Sequence, residues 1–88
     1  MTTIDSTSPS SEPLQIDSVL DASGLNCPLP ILKTKVALNR LQRGQILHVI
    51  ATDPMAPIDF KAFCLRTTHD LVRFIEQPNR CEFFIRRG

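Results

Sequence analysis

Three cysteines and two histidines are the side chains of this 88-residue sequence with chemistry to offer beyond charge, and Cys27 stands apart among them. It lies in Asp21-Ala-Ser-Gly-Leu-Asn-Cys-Pro-Leu-Pro30, between an apolar stretch and a helical pattern. Proline is tolerated only in the first turn of a helix, where its missing N–H has no intrahelical partner. A helix therefore starts at Pro28 and Cys27 is its N-cap. Serine, threonine, aspartate and asparagine cap helices better than cysteine, so a cysteine here is retained for its sulfur.

A helix N-terminus favours the thiolate, the nucleophilic form. The effect expected here is modest, because the two prolines remove first-turn donors. No histidine neighbours Cys27 in sequence to act as its base. The combination suits an exposed thiol that meets an electrophile already activated by a partner, not a self-sufficient enzyme nucleophile. Asp21 and Gly24 are expected to shape the approach to the helix, Gly24 through a positive φ.

Cys64 falls on the inward stripe of a second helix, where a buried apolar role is expected and a second relay or resolving thiol is the alternative. Cys81 alternates with Phe83 and Ile85 in a strand and reads as buried. His48 lies within a strand, and His69 ends a helix where partial positive charge is favoured; both read as structural. No C-x-x-C or H-x-x-x-H pair occurs, so no metal site is expected, and no cofactor.

The elements that must position Cys27 follow from periodicity. Leu14 to Asp21 reads as a strand. Ile31, Thr34, Leu38 and Leu41 form a helical stripe, closed by Arg43-Gly44. Leu29, Leu32 and Val36 make a second stripe; it either widens the buried face, the expectation adopted, or forms an apolar docking patch beside Cys27. Lys33, Lys35, Arg40 and Arg43 on the same helix are either its solvated side or a docking surface for an acidic partner. Gln45 to Thr52 is near-continuously apolar, as a central strand would be. Pro57 opens a second helix with Ala56, Phe60, Phe63 and Thr67 on its inner face. Leu71 to Glu76 and Cys81 to Arg86 pair as a hairpin around Gln77-Pro78-Asn79-Arg80. The fold class is α/β: a two-layer sandwich, β-α-β-α-β-β, with a small mixed four-stranded sheet and two helices packed on one face.

Met1 to Pro13 is rich in serine and threonine, has two prolines and little to bury, and is expected to be a disordered tail ahead of one domain over residues 14–88. The tail lacks the basic start and apolar run of an export signal, no apolar stretch would cross a bilayer, and a cytoplasmic monomer is expected. In a reducing compartment the cysteines are free thiols. Residues 1–20 carry three acidic groups and no basic one, leaving ten basic against six acidic in the rest. That excess suits an acidic protein partner at least as well as nucleic acid, for which a denser basic stripe and aromatic stacking groups are expected, and the chain has no Tyr or Trp. Direct nucleic-acid binding is not expected.

Asp21-x-x-Gly24-Leu25-x-Cys27-Pro28-x-Pro30, with Asp53-Pro54, Asp59, Phe63-Cys64 and His69-x-Leu71, resembles the TusA (SirA-like) family of small sulfur-relay proteins from about Ile16 onward. The resemblance implies the same two-layer sandwich and a motif cysteine, Cys27 by position, that receives persulfide sulfur from a cysteine desulfurase or rhodanese. It implies an acceptor protein serving tRNA thiolation, molybdenum-cofactor assembly or sulfur metabolism. The variable motif position is Leu29, where many members of the tRNA-thiolation branch carry an acidic residue; this points away from the tRNA route. The competing readings are a thiol-based redox or regulatory module and an RNA-binding module on the same sandwich.

Overall fold

The structure, a computed structural model, describes residues 15–88. The tail expected over Met1 to Pro13 lies outside the described residues. The element order is β1 (Ser18–Ala22), α1 (Leu29–Asn39), β2 (Ile46–Ala51), α2 (Ala56–Arg66), β3 (Asp70–Glu76) and β4 (Cys81–Arg86). The four strands form one mixed sheet in the order β1-β2-β4-β3. β1 runs parallel to β2 with Ser18 opposite Leu47, while β4 is antiparallel to both β2 and β3. β2 is central, as its apolar run requires, and β1 and β3 are the edges.

β1 starts later than the sequence pattern suggests. Asp17 exchanges backbone for side chain: its N–H donates to the Ile46 carbonyl at 2.9 Å, while the Ile46 N–H donates to Asp17 Oδ2 at 2.8 Å. The carboxylate takes the place of a strand carbonyl and the ladder begins at the next residue.

The helices cover one face of the sheet. Leu38, Leu47, Val49, Phe60, Phe83 and Ile85 are fully buried between the layers, with Phe60 stacked on Phe83 at 4.2 Å between centroids. Thr34 is also fully buried, and its Oγ1 donates to the Pro30 carbonyl at 2.8 Å, so the hydroxyl on the inner stripe of α1 is satisfied within the helix. On α2, Ala56, Phe60 and Phe63 are buried, but Thr67 lies beyond the helix as its exposed C-cap.

α1 also ends earlier than expected. Its C-cap is Arg40, not Arg43-Gly44, and its last turn has no basic residue. The Gly44 N–H donates to the Arg87 carbonyl and the Arg87 N–H to the Gln45 carbonyl, both at 2.8 Å. These bonds fix the approach to β2 against the end of β4, and Gly44, at φ 91°, makes the turn into the sheet. A helix continuing to Arg43 could not make them.

Phe84 and Glu82 point to the opposite face of the sheet yet are almost fully buried. Phe84 stacks on His48 at 4.3 Å, and Glu82 lies 2.7 Å from His48 Nε2 and 3.6 Å from the Arg80 guanidinium. His48 therefore has a structural role, pairing with a carboxylate that would otherwise lose hydration without a partner.

Candidate functional site

Cys27 is exposed on the loop that leaves the end of β1. That loop is shaped by three local bonds. Asp21 Oδ1 accepts the Ser23 N–H at 3.0 Å, the Gly24 N–H donates to Thr52 Oγ1 at 2.8 Å, and the Leu25 N–H donates to the Ala22 carbonyl at 3.2 Å. Hydrogen bonds from Ser23, first through its side chain and then its backbone, hold the Asp21 carboxyl below its usual range. Gly24 has φ 80°, the left-handed region that glycine enters without penalty. The turn is thereby tied across to the residue that follows β2.

The N-cap of α1 is Pro28, with Pro30 in the first turn, which places Cys27 one residue outside the helix. The expectation that Cys27 is itself the cap is corrected here. With a proline as cap, no side chain caps the helix, and the Leu32 N–H closes the first turn on the Pro28 carbonyl at 3.1 Å.

The electrostatic expectation is reversed as well. The Cys27 sulfur and one carboxylate oxygen each of Asp53 and Asp59 all lie within 4.8 Å of one another. A hydrogen bond with Asp59 is the main influence that raises the thiol above its ordinary pKa; partial desolvation and the charges of Asp59 and Asp53 act in the same direction. Cys27 is thus held toward the thiol, against the pull of the helix end. Asp59 occupies the first turn of α2, and Asp53 the turn between β2 and α2, where its carbonyl accepts the Ala56 N–H.

Cys27 stands at the mouth of a cleft of about 300 Å³ between the two helices. Pro28, Ile31 and Lys35 form the α1 wall, and Asp59, Phe63 and Arg66 belong to the α2 wall. No histidine lines it. The thiol and the two carboxylates have the spacing of ligands around a single ion, but they are three donors at an exposed position with no histidine or second cysteine among them, short of the four-ligand set of a structural centre. We do not read it as a metal centre.

Cys64 lies elsewhere, in a hollow with Lys61, His69 and Leu71, and burial pushes its thiol up to about 11. Burial also raises the Cys81 thiol. Burial and then Arg87 lower the His69 pKa, and its Nδ1 accepts the Gly88 N–H at 3.0 Å; the positive charge expected of it after the helix is therefore disfavoured.

The second stripe of α1 is not buried. Leu29, Leu32 and Val36 are 45%, 47% and 52% exposed, which corrects the adopted expectation. They line a shallow groove with Leu20, Lys33 and Arg40. β1 is an edge strand, so the side of α1 overhanging it meets no further sheet. Lys35 faces the Cys27 cleft instead, and Arg43 lines neither surface.

An exposed thiol entering the first helix of this sandwich defines a small thiol-presenting α/β domain. Its fold is that of a SirA-like protein from Desulfitobacterium hafniense, which it matches with a TM-score of 0.70 at 22% identity, over 81% of this chain and 97% of that one. Residues 18–87 match the family model described as sulfurtransferase TusA, and the chain belongs to that family. It is 51% identical over 72 residues to the sulfur carrier protein TusA of Allochromatium vinosum, covering 82% of this chain and 95% of the relative. It is 40% identical over 77 residues to the sulfur carrier protein TusA of Pseudomonas fluorescens, covering 88% and 93%.

The sequence reading missed Asp53 and Asp59 as neighbours of Cys27. The available signal was Pro57, which places Asp59 in a first helical turn, but nothing local to Cys27 indicates that α2 begins beside it.

Proposed function

We propose that the protein is a sulfur carrier that accepts persulfide sulfur on Cys27 from a cysteine desulfurase or rhodanese-type donor and passes it to an acceptor protein. The observation that carries this reading is the 51% identity to a named sulfur carrier over nearly all of that relative's length. The exposed Cys27, with no histidine beside it, supports it independently. Cys27 attacks the outer sulfur of the donor's persulfide. A new S–S bond forms on Cys27, the donor's own S–S bond breaks, and the proton from Cys27 ends on the donor's leaving thiolate. Sulfur keeps its oxidation level, so no external oxidant or reductant is required. Delivery is the reverse exchange onto the acceptor.

The exposed Leu29, Leu32 and Val36, flanked by Lys33 and Arg40, supply a docking surface for an acidic partner beside the reacting sulfur. Leu29 within the motif favours sulfur metabolism or molybdenum-cofactor assembly over tRNA thiolation. The carrier acts as a cytoplasmic monomer. A Cys27–Cys64 redox pair is disfavoured by Cys64's separate hollow and raised pKa. The test is intact mass after incubation with cysteine desulfurase and cysteine, or rhodanese and thiosulfate. A gain of one sulfur atom is expected in the native chain and in Cys64→Ala but not in Cys27→Ser; no gain with either donor overturns the proposal.

A further inference from the structure

A carrier that works by an exposed thiol faces a difficulty when empty. A thiolate in open solution reacts with stray disulfides, oxidants and electrophiles as readily as with its donor. The surroundings of Cys27 bear directly on this.

Every element packed around the Cys27 sulfur contributes a charge: Asp53 from the turn after β2, Asp59 and Arg66 from α2, and Lys35 from α1. The two carboxylates lie within 4.8 Å of the sulfur, and Lys35 and Arg66 line the same cleft. Both carboxylates act to keep the proton on sulfur. An activated cysteine has a cation or a helix end as its dominant neighbour; Cys27 also adjoins a helix end, but the groups closest to its sulfur are two carboxylates.

We propose that Asp59 is a positioning residue for Cys27, whose carboxylate holds the sulfur as a resting thiol at the mouth of the cleft and so quiets the empty carrier. The inference rests on the carrier reading for its purpose but not for its chemistry. Once a sulfur atom is added, the reactive atom is the outer sulfur, one S–S bond of about 2.05 Å further from Cys27 Sγ. The restraint therefore falls on the empty form. Asp53 has one buried carboxylate oxygen without a hydrogen-bond partner, so its charge is not spent on a neighbour.

The experiment is alkylation of the full chain by iodoacetamide across pH, with each cysteine followed separately by mass spectrometry, in native protein, Asp59→Asn and Asp59→Glu. In Asp59→Asn, the Cys27 profile is expected to move to lower pH and its rate near neutrality to rise severalfold. Asp59→Glu should restore most of the native profile, and Cys64 labelling should not move. A merely structural Asp59 would expose Cys64 and leave the Cys27 midpoint in place. Should Asp59→Asn not fold, Asp53→Asn is expected to give a smaller shift in the same direction. Cys27 profiles that overlay in native and variant proteins overturn the proposal. Sulfur loading by desulfurase, run in parallel, separates the two ideas. Loading with overlaid profiles removes the resting-thiol role alone, and a shifted profile without loading removes the carrier reading alone.

Discussion

The Cys27 sulfur and the Asp59 carboxylate face each other within 4.8 Å at the mouth of one cleft, although α1 and β2 lie between them in the chain. The contact exists because α1 and α2 cover the same face of the sheet with their N-terminal ends close together. It sets Cys27 apart from the other two thiols by cause: its proton is held chiefly by a hydrogen bond with Asp59, theirs chiefly by burial.

That difference predicts an order of reactivity. All three thiols are raised, but Cys27 alone is exposed, whereas Cys64 is half-buried with a pKa of about 11. Iodoacetamide at mildly alkaline pH should modify Cys27 first, Cys81 later and Cys64 last. In urea the three rates should converge, because both causes are properties of the fold. Cys64 reacting as fast as Cys27 in the native protein would contradict the burial argument.

Cys64 also links stability to pH. Its folded-state pKa is raised from 9.0 to about 11, so the unfolded chain loses this proton first as pH rises. Between those values the native state binds more protons than the unfolded state, and stability falls with increasing pH. The contribution is fully present below pH 9 and is lost by about pH 11. Urea midpoints should therefore decline more steeply over this window in the native chain than in Cys64→Ala, the difference isolating this group from other alkaline titrations.

Much of this fold is legible in the sequence because its signals are local. Pro28 and Pro57 announce helix starts, the apolar run of β2 announces a central strand, and Gly24 announces a left-handed turn. What stays hidden depends on contacts distant in the chain. Apolar spacing cannot distinguish Leu38, which meets the sheet, from Leu32, which overhangs its edge, because edge position is a property of strand order. The site was half legible for the same reason: Cys27 is marked by its own neighbours, but the carboxylates beside it arrive from α2 and from the turn that precedes it. A helix-end argument alone consequently gives the wrong direction for its pKa.

Gly24 offers a test of the turn that carries Cys27. A Cβ added there would meet nothing within 4 Å, so the cost of Gly24→Ala is that of the backbone conformation at φ 80° alone. Such a residue costs about 1 to 2 kcal/mol, and asparagine less. Gly24→Ala should lower the unfolding free energy by that amount and Gly24→Asn by less. Equal losses would point to a packing effect that the open space rules out.

The core leaves less tolerance. Phe83 is fully buried, stacked on Phe60 at 4.2 Å and on Phe74 at 5.3 Å. Truncating such a ring removes about 3 to 5 kcal/mol, which approaches the whole of the roughly 5 kcal/mol at the low end of domain stabilities, where a chain this small is expected to lie. Phe83→Ala should be largely unfolded at physiological temperature by circular dichroism, whereas Phe83→Leu should remain folded with a reduced urea midpoint.

The exposed stripe on α1 supplies the last prediction, which concerns partners. Leu32 and Val36 are about half exposed and contribute little to the core, so Leu32→Glu and Val36→Glu should change folding stability by only about 0.5 kcal/mol. If the groove they share with Lys33 and Arg40 receives an acidic-rimmed partner surface, each substitution desolvates a new carboxylate against that surface and opposes its charge. Sulfur loading by the donor should then slow severalfold, with the loss appearing at low carrier concentration and recovering as the carrier is raised toward saturation. Alkylation of Cys27 by iodoacetamide needs no docking and should be unchanged in both variants. Loading that slows equally at all carrier concentrations would place the defect in the chemistry at Cys27, and loading at the native rate would show that the donor approaches from the cleft side of α1, over Lys35 and Arg66.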